Sequence, residues 1–326
     1  MNLNHRLFVL IAVCFMASNT VMGQLSGTGK PIAEVFTNFH TTVDSPKPAG
    51  TTGFEVNRAF IGYSYTLDNN FSATIIADAA GLFPQGKING SSNRYAYLRE
   101  ASMAWQNDKV KVTFGVSDTR LYLHQSRWWG KRYLANTMQS AYGYGHVNDF
   151  GIAVDYKFND VFSGDITVMN GEGYTELQRD NNVRSSIGLT ANPSQNLTFR
   201  VYGDHYRVPG NDQFVGVAFA GYKHERFYIG IDGSYKSNID GISGHNSWGL
   251  STTNGVYITE KDELFVRYDY HTSVNHISND GDFTMAGIQH TFSPNMRIAL
   301  SYQGTNPYSN STVNSNMIFL NAHFKF

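Results

Sequence analysis

The residues of this chain whose chemistry most needs explaining are charged side chains set into alternating segments. Arg58, Asp78, Glu100, Asp155, Asp165, Arg184, Arg200, Asp204, Asp232, Arg267, Asp269 and Arg297 fall on one provisional face of their segments, opposite the apolar residues. Unpaired charges in a dry interior are very costly, so a set of both signs needs water or partners. A hydrated interior accommodates all of them and makes Arg58, Asp78, Glu100, Arg184, Arg200, Asp204, Arg267, Asp269 and Arg297 candidate pore-lining residues. Counting outward from the turns brings Arg58 near Asp78 and Arg184 opposite Asp204. For each residue taken singly, an ion pair bracing the wall weighs at least as much as ligand recognition.

A second group is more local. Arg120, Arg127, Lys131 and Arg132 lie between Asp118 and Asp149, a stretch with no carboxylate, and Trp128 and Trp129 sit among them as anchors. A ring of charge at a constriction lowers the barrier for ions of opposite sign. These four cations are therefore the candidate pore constriction, with anions favoured. The competing reading, of equal weight, is that they only neutralise interior Asp and Glu.

Catalytic chemistry finds less support. The chain has no HExxH, no GxSxG and no His/Cys cluster with metal spacing, so neither metal nor cofactor is expected. Asp269 and His271 share a face, an acid–His pair of the kind a barrel hydrolase would use, although a solvated histidine is the weightier reading. Asp204 and His205 are adjacent and point to opposite faces of a regular strand. An enzyme is not expected.

The elements that position these residues are strands. Segments of roughly 10 to 13 residues alternate apolar and polar, the period and length of a tilted strand crossing a bilayer. Tight turns at Asp68–Asn70, Asn107–Lys109, Asn159–Asp160, Pro193–Gln195, Glu225, Lys261–Asp262 and Ser293–Asn295 alternate with longer connections. Seven turns and eight loops predict about 16 strands. Leu123–His146 is the longest connection and follows the fifth strand. In the last strand Ile318, Leu320, Ala322, Phe324 and Phe326 share one face, with Asn321 and His323 on the other. The sixth strand (Phe150, Ile152, Val154 and Tyr156 against Asp149 and Asp155) and the eleventh (Ile229 and Ile231 against Asp232) repeat the pattern. Apolar outward and polar inward is the membrane-barrel arrangement.

Composition agrees. Charged residues make up 16% of the chain, against about 25% in soluble domains. Aromatics reach 14%, and many flank the tight turns, as in the girdle at a membrane interface. The net charge of −1 rules out bulk attraction to nucleic acid. Arg6 and the apolar run Leu7–Met16, followed by Val21 and Gly23 ahead of Gln24, read as a signal peptide over residues 1–23, cleaved between Gly23 and Gln24. The single cysteine, Cys14, lies inside it, which leaves residues 24–326 as one thiol-free barrel domain.

Two resemblances add to this reading. The final strand, ending in Phe324 and Phe326, resembles the C-terminal signature of outer-membrane proteins, which implies recognition of these two residues by the barrel assembly machinery. Asn57-Arg58-Ala59-Phe60-Ile61-Gly62, then Ala77-Asp78-Ala79, Glu100-Ala101 and Phe114-Gly115, resemble the opening strands of the phosphate-selective porins O and P and their Bacteroidetes-type relatives. Trp129–Tyr133 and Asp149–Gly151 resemble them less tightly, and the resemblance spans about residues 54 to 158. It implies an inward-folding loop after strand five, a homotrimer and a Gram-negative outer-membrane location. It does not carry phosphate selectivity across, because no extensive basic ladder is evident. The expected protein is an all-β, transmembrane, antiparallel up-and-down barrel. It is expected to contact outer-membrane lipid and pass small hydrophilic solutes or anions by passive diffusion. A barrel hydrolase and an adhesin or partner-binding barrel remain the alternatives.

Overall fold

Strict alternation of apolar and polar side chains gives each strand two unlike faces, and a sheet of such strands hides its polar face by closing on itself. The computed structural model describes residues 27–44, 51–67, 70–80, 95–274, 280–308 and 314–326. The proposed signal segment with Gly23 and Gln24, the turn residues Asp68 and Asn69, and much of the first, second, seventh and eighth loops lie outside the described residues. The strands are β1 (Thr28–Thr42), β2 (Thr52–Thr66), β3 (Phe71–Ala80), β4 (Tyr95–Gln106), β5 (Val110–Asp118), β6 (Asn148–Lys157), β7 (Phe162–Met169) and β8 (Arg184–Ala191). The second half comprises β9 (Leu197–Tyr206), β10 (Gln213–Lys223), β11 (Phe227–Ser237), β12 (Ser247–Tyr257), β13 (Asp262–Ser273), β14 (Gly281–Ser293), β15 (Met296–Pro307) and β16 (Ser315–Lys325). Each pairs antiparallel with its neighbours in chain order, and β1 pairs with β16, so the barrel is closed. Ala33 and Phe326 exchange two backbone hydrogen bonds, at 3.0 and 3.2 Å, across that seam.

The faces separate as the alternation predicts. On β16, Ile318, Leu320 and Phe324 are exposed on the outside while Asn321 and His323 are buried within. On β11, Ile229 and Ile231 face out and Asp232 faces in. Exposed Phe71, Tyr156, Phe158, Phe162, Tyr222 and Phe292 gather at the end of the barrel that carries the tight turns. Among the described residues no helix is long and apolar enough to cross a membrane.

Strand lengths vary more than the sequence predicts, from 8 residues in β7 and β8 to 15 in β1 and β2. One register also differs by two residues: Arg184 stands opposite Tyr206, not Asp204, whereas Arg58, opposite Ala80, lies near Asp78 as the turn count predicts. A slip of two keeps every side chain on its face, whereas a slip of one would turn the set inside out. The pairs therefore still meet diagonally, at 3.9 Å for Arg58–Asp78 and 3.4 Å for Arg184–Asp204.

Two bulges change which residues face inward. Between β3 and β4, Ile76 pairs with Glu100 and Ala77 with Leu98, leaving Arg99 without a partner residue. Between β1 and β2 the same irregularity falls at Asn57. A bulge places two consecutive residues on one side. Arg99 and Glu100, and likewise Asn57 and Arg58, all make their contacts inside the barrel.

Candidate functional site

The interior is built around the connection from β5 to β6, residues 119–147, which folds into the barrel. It holds two short helices, α1 (Leu123–Trp129) and α2 (Met138–Ala141), where the sequence predicts only irregular loop. α1 ends at Gly130, whose φ of 68° is the left-handed conformation that glycine adopts without strain.

Buried carbonyls outside a sheet need donors, and the wall supplies them. Lys223 donates to the carbonyl of Trp128 at 2.9 Å, Arg297 to that of Gly130 at 3.2 Å and Gln303 to that of Leu134 at 3.2 Å. Arg267 donates to the carbonyl of Asn136 at 2.6 Å, Lys236 to that of Gly143 at 2.8 Å and Arg200 to that of Arg120 at 3.1 Å. Aromatic contacts complete the seating. Trp128 lies edge-on to Phe219 at 5.4 Å, and a Cβ on Gly221 or Gly230 would come within 2.6 Å of its indole, so both positions must be glycine for the ring to dock. Tyr133 stacks on His323 at 5.3 Å and donates to Gln289 at 2.7 Å. Tyr142 stacks on His271 at 4.5 Å. Through these contacts the loop is seated on β9, β10, β11 and β13 to β16, all in the second half of the barrel.

The four candidate constriction cations divide into two kinds. Arg120 grips Asp155 with two hydrogen bonds, at 2.8 and 2.7 Å. Lys131 is buried against Glu263 and donates to the Tyr228 hydroxyl at 3.0 Å, while that hydroxyl donates to Glu263 at 2.7 Å. Burial pulls the Lys131 ammonium below its usual range and Glu263 opposes the shift. For this pair of cations the neutralising reading describes the contacts. Arg127 and Arg132 differ: neither has an ion pair among the described residues. Arg127 is exposed on α1, and Arg132 lies over the Tyr122 ring at 5.3 Å.

The candidate lining residues all make their contacts inside the barrel, and most are engaged there. Asp78 meets Arg58 and accepts from the Tyr174 hydroxyl at 3.2 Å; Glu100 accepts from Ser102 at 3.1 Å. Asp204 accepts from Arg184 and from the Tyr202 hydroxyl at 3.0 Å. Arg200 holds Asp165 at 2.7 and 3.1 Å, and Arg267 holds Asp269 at 2.9 and 2.5 Å. Arg297 reaches the loop through the Gly130 carbonyl. Phe324 and Phe326 face outward. The reading of His271 as a solvated histidine is corrected: it is fully buried and meets Asp280 at 3.3 Å, while Asp269, the acid of the alternative acid–His pair, is held by Arg267.

Sequence reasoning missed Arg99, which reaches Asp118 at 2.8 Å. Perfect alternation with inward Glu100 would turn Arg99 to lipid, where an arginine is expensive. That cost is the signal by which the bulge could have been found. It also missed Glu263, the partner of Lys131, and the cations Lys109, Lys111 and Lys223.

These three lysines border a cavity of about 720 Å³ between α1 and the wall from β5 to β10, rimmed by the turns at Asn107–Lys109 and Ser194–Asn196. Its lining includes the cations Lys109, Lys111, Arg120, Arg127, Lys157, Arg200 and Lys223, against the carboxylates Asp108, Asp155 and Asp165. His124 also lines it. Burial first, then the charges of Arg200, Arg127 and Lys223, lower its pKa to about 4, so its ring is neutral at physiological pH.

No family model matches the sequence, and no curated protein matches it. Solved structures do match. OmpF of Salmonella typhi, in complex with daunomycin, aligns with a TM-score of 0.68 at 10% identity, covering 91% of this chain and 97% of that one. The outer membrane channel DcaP of Acinetobacter baumannii aligns at 0.65 with 11% identity, covering 93% and 99%. The outer membrane protein OmpT of Vibrio cholerae, in its trimer form, aligns at 0.58 with 13% identity, covering 92% and 99%. The chain has the closed, sixteen-stranded fold of these Gram-negative outer-membrane barrels.

Proposed function

We propose that the protein is an outer-membrane porin: a water-filled channel for passive diffusion of small hydrophilic solutes, with a preference for anions. The observation that carries the preference is the excess of cations around the cavity between α1 and the wall. Arg120 and Arg200 are neutralised by Asp155 and Asp165, and Lys157 by Asp160. Lys109, Lys111, Arg127 and Lys223 have no ion pair among the described residues, against the single unpaired lining carboxylate, Asp108, beside Lys109. Since the whole chain carries a net charge of only −1, the preference comes from position. A unit charge 4 Å away is worth about 1 kcal/mol in bulk water and about 4 at an effective dielectric of 20. A few such charges at a wet passage bias permeability several-fold, and salt screens the effect.

The corresponding experiment is single-channel recording in a planar bilayer under a salt gradient. Replacing Lys109, Lys111 and Arg127 together by Ser is expected to move the reversal potential toward cations by a several-fold change in permeability ratio. The shift should shrink as ionic strength rises. An unchanged reversal potential in a folded variant would overturn the anion preference.

Three further parts of the reading go with the channel. The segment 1–23 is removed on export, Phe324 and Phe326 engage the assembly machinery, and three copies associate in the membrane, as the trimer form of the Vibrio protein suggests. Kinship with the phosphate-selective porins rests on the residues of β2 to β5 alone. The tight turns face the periplasm and the longer connections face outward. Accordingly, cysteine in place of Leu177, 86% exposed in the connection after β7, should react with an impermeant thiol reagent on whole cells. Cysteine in place of Asn159 should react only after the outer membrane is permeabilised, and equal labelling would reverse the orientation.

A further inference from the structure

The two ends of the sheet meet at β1 and β16 with no turn or loop between them, so Glu34 reaches His323 across 289 positions of sequence. The other neighbouring strands are held close by their connections, whereas this pair has to close the whole chain on itself. Until it does, each end strand is an open edge with unpaired N–H and C=O groups. Side chains fasten the seam at both ends. Toward the tight turns, His323 Nε2 lies 2.7 Å from the Glu34 carboxylate. Toward the longer connections, Asn316 donates to Asp44 from its backbone at 3.0 Å and from its side chain at 2.8 Å.

A third fastening comes from outside the two strands, from residues 130–134 of the lumenal loop. Tyr133 stacks on His323 of β16 at 5.3 Å and meets Phe36 of β1 at 6.4 Å, and Phe36 stands edge-on to the same histidine at 5.1 Å. One ring of the loop therefore touches both end strands, at separations where aromatic pairs attract. The same segment is tied to the strands beside the seam. Its Tyr133 hydroxyl donates to Gln289 of β14, and its Gly130 and Leu134 carbonyls accept from Arg297 and Gln303 of β15. Tyr133 and Leu134 also share one buried apolar cluster with Phe36 of β1 and Ala299 of β15. His323 is the junction, holding Glu34 at its ring nitrogen and Tyr133 on its face.

We propose that residues 130–134 are a latch on the seam: seating of the loop and closure of the barrel stabilise each other. Such coupling is reciprocal, so loosening either side loosens the other. The far end of the loop, where Tyr142 stacks on His271, is seated on β13 and provides the internal control.

The test is hydrogen exchange of the detergent-solubilised protein, read by mass spectrometry. In Tyr133→Ala, peptides from β1 and β16 should exchange about ten-fold faster than in the parent, while those from β8 and β9, across the barrel, stay within about two-fold. Tyr133→Phe keeps the ring and gives up only the bond to Gln289, so its seam should exchange like that of the parent. Tyr142→Ala should leave the seam unchanged. The reciprocal arm is Glu34→Gln, which weakens the seam without altering any loop residue. Trypsin should cut this folded variant after Arg132 several-fold faster than the parent. This arm decides the question even where Tyr133→Ala does not fold. Seam exchange unchanged in a folded Tyr133→Ala, or raised equally in β8 and β9, would overturn the latch. So would an equal effect on the seam from Tyr142→Ala, or loop cleavage unchanged in Glu34→Gln.

Discussion

Lys131→Ala is expected to unseat the lumenal loop while leaving the barrel wall standing. Its ammonium is buried with Glu263, their side chains being 5% and 6% exposed. Removing one partner of a buried ion pair typically costs roughly 3–5 kcal/mol, because the other charge is left without compensation. That penalty falls on the loop. Strand-to-strand hydrogen bonds do not depend on Lys131, whereas the loop is held from the wall side by single donors at separated carbonyls. The variant should keep the compact electrophoretic mobility of the folded barrel. It should become cleavable by trypsin at Arg127 or Arg132 and conduct with larger, noisier steps. A double change, Lys131→Met with Glu263→Gln, removes both charges at similar volume and should restore most of the protease resistance. Resistance unchanged in Lys131→Ala would mean that the pair does not hold the loop.

Arg267→Ala should act on the wall as well as the loop, and lower stability by several kcal/mol. Arg267 is 2% exposed and its whole guanidinium is used: two hydrogen bonds to Asp269, one to the Asn136 carbonyl, and its face over Trp129 at 4.6 Å. Asp232, Ser251 and Asp269 stand in one row across β11, β12 and β13. Without the arginine this row holds two inward carboxylates two strand spacings apart, roughly 10 Å, with no cation between them. Lysine cannot reproduce the planar fork, so Arg267→Lys should recover less than half of the loss. Asp269→Asn in the Arg267→Ala background should recover more, since it removes the stranded charge. The measurement is the temperature at which the folded band disappears on electrophoresis. A midpoint for Arg267→Ala within a degree or two of the parent would contradict the central role assigned to this residue.

The sequence by itself determined the strand number, the two faces and the location of the long connection. The reason is local. Alternation has a period of two, turns need particular residue types, and the segment rich in Arg and Lys between Asp118 and Asp149 is continuous in the chain. Even the register wrong by two, at Arg184, left the charged residues on the right face, since only an odd slip exchanges the faces. Arg99 escaped because a bulge adds one residue to a strand, and strict alternation was carried through it although an arginine turned to lipid marks the break.

What only the tertiary structure decided is how the interior charges are used. Four cations in one loop look alike in sequence. Folding brings Lys131 to Glu263 and Arg120 to Asp155, and leaves Arg127 and Arg132 without carboxylates among the described residues. The wall arginines likewise serve carbonyls of a loop that lies far from them in the chain. Such pairings arise when a closed barrel brings distant strands around one axis, and the charge of a residue does not encode which partner will lie across that axis. The cation excess around the cavity beside α1 has the same origin. Its members come from a turn, a helix and two strands, and they become one electrostatic feature only when the ring closes.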